Sequence, residues 1–240
     1  MKFALIGHPV AGSLSPCLFS AAYDGRYPYD LLDFEVFEEA WNTFLDQYTG
    51  INVTAPYKQD AFAHVDWLSE GARATGAVNL VVKADEGLRG YNTDVDGIVN
   101  SVQETGIPVA DALVVGTGGA ARAAIVAAQK LGCKVTVAGR SAEKVAALAE
   151  AFCCRGLLLS EAVSHRPGLI LYTLPGTAPV PALEYAGAVV LEAEYKHPAL
   201  SGVPCRAYIG GKRWLLHQAA AGYALFTGEV PSFEKMSAAL

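Results

Sequence analysis

The sequence predicts an α/β protein whose parallel sheets are covered by helices. Three observations carry that expectation. Strand-like and helix-like stretches alternate from start to end. Several strand-like runs, Ala112-Leu113-Val114-Val115 among them, are apolar at every position, as a central strand buried on both faces should be. A glycine-rich turn, Gly116 to Gly119, stands between that run and a long alanine-rich stretch. The composition agrees, with 240 residues, 52% hydrophobic and 18% charged. A chain of this size can bury a core without disulfides or metals, and it is too apolar to be disordered.

In the first half, Phe3-Ala4-Leu5-Ile6 reads as a short buried strand ended by Gly7 and Pro9. Ser15-Pro16 reads as a helix start with proline in the first turn, and Gly25 as a stop. Leu31 to Phe37 is strand-like. Glu38 to Tyr48 is helix-like, with Trp41, Phe44, Leu45 and Tyr48 on one face. Gly50 to Val53 reads as a strand and Tyr57 to Trp67 as helix-rich. Val78 to Lys83 and Leu88 to Tyr91 flank Asp85-Glu86-Gly87 as a β-hairpin. Thr93 to Glu104 is then helical, ending at Gly106.

Pro108 marks a boundary. Beyond it, the strand at 112–115 is followed by a helix from Ala120 to Leu131, with Gly132 as its stop. Lys134 to Ala138 is the next strand and Ala142 to Phe152 the next helix. Leu169-Ile170-Leu171 and Val189-Val190-Leu191 read as further parallel strands. The last helix, Trp214 to Phe226, could pack on either half.

The net charge of −6 makes nucleic acid or an anionic membrane an unsuitable main partner. The five cysteines are odd in number and have no metal-type spacing, so free thiols in a reducing cytosol and no metal site are expected. The N-terminus has no secretory apolar region, and no run approaches the roughly 18 apolar residues of a membrane span. A soluble, cytoplasmic protein is the expectation.

Gly116-Thr117-Gly118-Gly119-Ala120-Ala121 satisfies G-x-G-x-x-A, a variant of the dinucleotide fingerprint, and sits between strand and helix. Gly116 allows the tight turn. Gly118 lets the backbone approach a pyrophosphate, and Ala121 is small enough for helix–strand packing. The helix start then offers free N–H groups. An NAD site carries an acid about 20 residues later. Here the strand ends Ala138-Gly139-Arg140-Ser141, without one. Arg140, Ser141 beside it and Lys144 one turn on suit a 2′-phosphate, so NADP is favoured over NAD. The plain alternative is a solvated arginine at a strand end.

Four polar clusters lie in the first half. Ser13-Leu14-Ser15-Pro16 places two hydroxyls before a helix, where Ser15 could also simply cap it. Asn52-Val53-Thr54-Ala55-Pro56-Tyr57-Lys58 runs from a strand end into a helix start, and its lysine could be solvated. Gly76-Ala77-Val78-Asn79 precedes a strand, where asparagine is often a turn residue. Asn92-Thr93-Asp94 through Gly97 opens a helix that the aspartate could cap.

Together with the glycine turn, and in this order, these clusters resemble the shikimate dehydrogenase family. Leu215-Leu216-His217-Gln218-Ala219-Ala220 through Phe226-Thr227-Gly228 is similar to its closing helix. The resemblance implies a substrate domain over residues 1–99, completed by 214–240, with a mostly parallel sheet. Residues 100–213 would form a Rossmann-type NADP-binding domain, with the active site in the cleft between. It implies reversible NADP-dependent reduction of 3-dehydroshikimate to shikimate, on the route to aromatic amino acids. Lys58 would be the general acid/base, with Asp94 holding its ammonium and accepting from a substrate hydroxyl. Ser13 and Ser15 would bind the substrate carboxylate, and Thr54, Asn79, Tyr195 and Gln218 its hydroxyls and carboxylate. Gly116, Thr117, Gly118, Gly119, Ala120, Arg140, Ser141 and Lys144 would hold the cofactor, with Ala193 and Gly211 at the nicotinamide. The small-molecule substrate would be the only partner of a monomer or homodimer, with no nucleic acid and no membrane.

The chain departs from the family pattern in four places. Gly139-Arg140-Ser141 replaces Asn-Arg-Thr, so the asparagine contact is lost. Tyr172-Thr173-Leu174-Pro175 replaces Asn-Ala-Thr-Ser. Gly12 replaces a histidine, and the Tyr195–Gln218 segment is short, which predicts a trimmed edge strand. The alternatives are an NAD-using quinate/shikimate dehydrogenase and a non-catalytic sensor of shikimate or nucleotide. The Lys58/Asp94 pair disfavours the sensor. Cys153 and Cys154 have no assigned role.

Overall fold

The structure is a computed structural model and describes residues 1–240. It divides into two compact units, residues 1–93 with 216–240 and residues 94–215.

The first unit holds β1 (Phe3–Gly7), α1 (Ser15–Ala22), β2 (Tyr29–Asp33), α2 (Phe37–Gln47), β3 (Gly50–Val53), α3 (Lys58–Ala63), β4 (Trp67–Leu68), α4 (Glu70–Thr75), β5 (Leu80–Ala84) and β6 (Gly87–Tyr91). Its sheet runs β2-β1-β3-β5-β6-β4, and three of its five pairings are parallel. β2 starts and ends earlier than the run Leu31–Phe37 predicts. Its register from Phe3↔Tyr29 to Gly7↔Asp33 uses up β1, so residues beyond Asp33 have no strand to pair with. Phe37 instead begins α2, which buries Ala40, Trp41 and Phe44 and carries Glu38 and Glu39 where the helix dipole favours acids. The helix expected over Tyr57–Trp67 stops at Ala63, and Trp67 pairs with Arg89 in β4. The unpredicted α4 has clear local causes. Ser69 Oγ accepts from Ala72 N, and Gly76 ends the helix in the left-handed conformation, φ +62°.

The second unit holds α5 (Asp94–Gln103), β7 (Asp111–Val115), α6 (Gly119–Lys130), β8 (Lys134–Gly139), α7 (Ala142–Ala151), β9 (Arg155–Leu158), a 3₁₀ turn at Ala162–Ser164, β10 (Leu169–Tyr172), β11 (Val189–Glu192) and β12 (Ala207–Ile209). All strands are parallel, in the order β12-β11-β10-β7-β8-β9. Numbered within the unit, that order reads 3-2-1-4-5-6 from β9, the doubly wound arrangement. Strand order reverses between β7 and β10, where such folds bind ligands. The two faces of β7 explain its apolar run. Ala112 and Val114 join the core under α5 and α6, while Leu113 and Val115 join the core of Ile170, Tyr172 and Val190. β12 is present at the sheet edge but is only three residues long.

Two further elements close the chain, α8 (Gly211–Thr227) and α9 (Phe233–Ala238). The first turn of α8, through Leu215, belongs to the second unit and the rest to the first. The other division falls at Thr93/Asp94 rather than after residue 99. Val95, Ile98 and Val102 bury α5 in the core built on Ala121, Ala124 and Ile125 of α6. No helix is long and apolar enough to cross a membrane. All five cysteines are free thiols.

Candidate active site

In the first unit, the loop after β1 carries the serine pair. Asp33, at the end of β2, anchors that loop by accepting from Val10 N at 3.2 Å and pairing with His8 Nδ1 at 2.7 Å. The His8 contact, helped by backbone N–H groups, holds the Asp33 carboxyl below the usual aspartate range. Ser13 Oγ lies 3.2 Å from Ser15 Oγ and accepts from Ser15 N at 3.3 Å. Ser15 is not the cap of α1. Leu14 holds that position without a side-chain cap, and Ser15 is already helical, with its hydroxyl turned to Ser13.

Thr54 follows β3 directly, its N–H on Ile6 O at 2.9 Å and its carbonyl taking Tyr57 N at 3.0 Å. That turn delivers Lys58, half-buried, as the first residue of α3, with its carbonyl taking Val78 N at 2.8 Å. Asn79 is 3% exposed and is more than a turn residue. Its Oδ1 accepts from Thr93 N at 2.8 Å, and its Nδ2 reaches Thr93 Oγ1 at 3.2 Å and Gln218 Oε1 at 3.4 Å. Thr93 Oγ1 also donates to Gln218 Oε1 at 3.3 Å. The structure therefore brings Asn79 and Gln218 together, with Thr93 between them. Gln218, the half-buried member of this group, can present its amide to a polyhydroxylated ligand.

In the second unit, Asp94 opens α5 and is buried, with its carbonyl fixed by Trp214 Nε1 at 3.0 Å. Gly116 follows β7 at φ +124°, a conformation closed to other residues, and a β-carbon there would collide with Thr173 Oγ1. Gly118 is the N-cap of α6 with no side-chain cap, and open space surrounds Gly118 and Gly119. Uncapped N–H groups of a 12-residue helix behind two unobstructed glycines fit a pyrophosphate. At the end of β8, Arg140 and Lys144 are exposed. Ser141 caps α7 by accepting from Lys144 N at 3.3 Å, which leaves its own proton free to donate. Two cations and a donor at this strand end fit a phosphate on the ribose, so the residues present suit NADP.

Ala193 and Gly211 also meet. Ala193 N donates to Tyr172 O at 2.8 Å, and a β-carbon on Gly211 would run into the Ala193 carbonyl. Tyr195 is half-buried in the loop after β11. Two acids shape that loop. Glu192, fully buried, accepts from Ala199 N at 2.6 Å, Leu200 N at 3.0 Å and the Tyr208 hydroxyl at 2.7 Å. Glu194 accepts from Lys196 N at 2.7 Å and His197 N at 3.3 Å. Burial opposes its charge, yet the backbone N–H groups around it hold its pKa below the usual glutamate value.

A family model for the shikimate dehydrogenase substrate binding domain matches residues 5–81. A shikimate dehydrogenase (NADP(+)) of Thermus thermophilus is 38% identical over 79% of this chain and 77% of its own length. That of Acidiphilium cryptum is 35% identical over 95% of this chain and 90% of its own. This chain belongs to the shikimate dehydrogenase family. The crystal structure of shikimate 5-dehydrogenase from another strain of Thermus thermophilus, in complex with NADP(H) and shikimate, superimposes with a TM-score of 0.86. It is 30% identical, over 100% of this chain and 98% of the other.

Two departures from the shikimate dehydrogenase pattern have local explanations. A β-carbon at Gly139 would meet Thr117 Cγ2 and Val145 Cγ2, so Thr117 fills the space that a side chain there would need. Thr173, in the altered segment after β10, turns its hydroxyl onto Val115 O at 2.9 Å and closes the switch point beside Gly116. Sequence reasoning missed Thr93, Glu192 and Glu194. Glu192 left one signal, an acid at the end of an apolar buried strand.

Proposed function

We propose that this chain catalyses the reversible NADP-dependent reduction of 3-dehydroshikimate to shikimate, a step toward aromatic amino acids. The observation that carries the reading is the donor and acceptor set of the first unit, on a chain related to NADP(+)-dependent shikimate dehydrogenases. Ser13 and Ser15 take the substrate carboxylate as neutral donors. Thr54, Asn79, Tyr195 and Gln218 take its hydroxyls and carboxylate. A polyhydroxylated acid needs such a set, because each buried partner left unpaired costs about 1–3 kcal/mol. When bound, the nicotinamide supplies hydride in one direction and accepts it in the other. Lys58 gives the proton that the carbonyl oxygen gains on reduction and takes it back on oxidation. Asp94 is the second member of that proton-transfer pair and an acceptor for a substrate hydroxyl.

On the cofactor side, the Gly116–Ala120 turn cradles the pyrophosphate. Arg140, Ser141 and Lys144 take the 2′-phosphate, and Ala193 and Gly211 line the nicotinamide. Residues 1–93 with 216–240 are the substrate unit of this reading, and 94–215 the nucleotide unit. Five free thiols favour a cytoplasmic setting. The test mixes purified protein with shikimate or quinate and with NADP⁺ or NAD⁺, and follows reduced nicotinamide by absorbance. Reduction is expected with shikimate and NADP⁺. A preference for NAD⁺ would overturn the Arg140 assignment, and silence in all four mixtures would overturn the enzyme reading.

A further inference from the structure

Thr117 stands half-buried in the glycine turn after β7. Gly116 N donates to Ala138 O at 2.9 Å, which ties that turn to the end of β8 and sets Thr117 beside Gly139. A β-carbon at Gly139 would lie 2.7 Å from Thr117 Cγ2, 3.0 Å from Val145 Cγ2 and 3.9 Å from Thr117 Cβ. The methyl of Thr117 therefore points at Gly139, and its hydroxyl oxygen, farther off than Cβ, is turned away. Val145 has no room to yield, because it is buried and its other methyl lies against Gly156 of β9. A β-branched side chain wedged in this way keeps one rotamer, so its hydroxyl oxygen keeps one place.

No hydrogen bond within the chain uses that hydroxyl. Thr173, on the other side of the turn, differs, since it spends its hydroxyl on Val115 O at 2.9 Å. Thr117 also stands between two anchors of the nucleotide reading. The Gly118–Gly119 helix start follows it in the chain, and Arg140 and Ser141 follow the Gly139 that it touches. What joins a 5′-pyrophosphate to a 2′-phosphate is the adenosine ribose, whose remaining hydroxyl is on C3′. That hydroxyl is neutral, and a threonine hydroxyl, which both donates and accepts, matches it. A carboxylate in the same place would repel the 2′-phosphate.

We infer that Thr117 Oγ1 binds the 3′-hydroxyl of the adenosine ribose, with Gly139 leaving the space that seats its methyl. The contact is common to NADP and NAD, unlike those of Arg140, Ser141 and Lys144 with the 2′-phosphate. It rests on the reading of the second unit as the nucleotide unit.

The test measures dissociation constants by titration calorimetry, without turnover, for wild type and Thr117→Val in the full chain. The probes are NADP⁺, NAD⁺ and NAD⁺ lacking the 3′-hydroxyl on its adenosine ribose. Thr117→Val keeps the wedged methyl and removes the hydroxyl. It is expected to weaken NADP⁺ and NAD⁺ alike, about three- to tenfold, the scale of one neutral hydrogen bond. Its effect on the deoxy analogue should stay below about twofold, because the two changes remove one and the same contact. Equal losses on NAD⁺ and the deoxy analogue, or no loss on either dinucleotide, would overturn the contact and leave Thr117 a packing residue. A loss confined to NADP⁺ would move the hydroxyl to the 2′-phosphate and overturn the assignment to C3′. Wild type that binds neither NADP⁺ nor NAD⁺ would overturn the nucleotide reading itself, and the Thr117 role with it.

Discussion

Lys58 and Arg140 stand in different surroundings, and each makes its own prediction. Lys58 is half-buried on a turn whose backbone is tied to β1 and to Val78. Its chemistry is a proton transfer, so Lys58→Ala should cut kcat by about 10²–10⁴-fold with little change in shikimate KM. A much raised KM at normal kcat would mean that Lys58 only binds. Arg140 is exposed, and Thr117 and Val145 fill the space beside Gly139 before it. Arg140→Ala should raise KM for NADP⁺ far more than for NAD⁺ in steady-state assays, since only NADP⁺ carries the 2′-phosphate. Equal effects would remove that role. At this scale the motif residues were legible, because each sits where a strand meets a helix. The tie between Tyr29 and Asn52 was not, because Asn52 comes from another element and no local pattern marks the pair.

Elements differ in how much of their cause is local. α4 and α7 have their caps in the sequence, in Ser69 with Gly76 and in Ser141. β4, β9 and β12 are short edge pieces whose existence depends on a neighbouring strand, and single-strand patterning missed them. The turn after β11 shows what such dependence costs when it fails. Glu192 satisfies two backbone N–H groups and a phenol inside the core. Glu192→Ala should strand them and lower stability by about 1–3 kcal/mol, read as a lower midpoint of urea unfolding. An unchanged midpoint would show that the loop finds other partners.

For the molecule as a whole, acid is the informative stress. Asp30 is held below the usual aspartate value of 3.8 by hydrogen bonds from Lys2 and Tyr48, and Asp33 by His8. Glu229 is held below the usual 4.5 by Arg26 and Tyr27. Depressed folded values mean stability that is present above those usual values and lost as pH falls through the folded ones. Asp96 works in the opposite sense, because burial raises it and its contribution is lost as pH rises. With Glu194 also held below its usual value, four such groups stand against one, and the urea midpoint should fall between about pH 6 and about pH 3. Because these pairs are exposed, salt should shrink the fall. A midpoint that rises toward acid would mean that Asp96 dominates.

The alternation of strands and helices, the glycine turn and the ends of most helices follow from the chain alone. Periodicity, caps and turn chemistry act within a few residues. The doubly wound strand order of the second unit, the division at Thr93/Asp94 and the meeting of Asn79 with Gln218, 139 residues apart, do not. Those depend on which strand pairs with which and on which core buries a helix face. α5 shows the difference. Its apolar spacing announced a helix, but only Val95, Ile98 and Val102 seated against α6 assign that helix to the second unit. Burial against a partner is a property of two segments, and neither segment encodes it by itself.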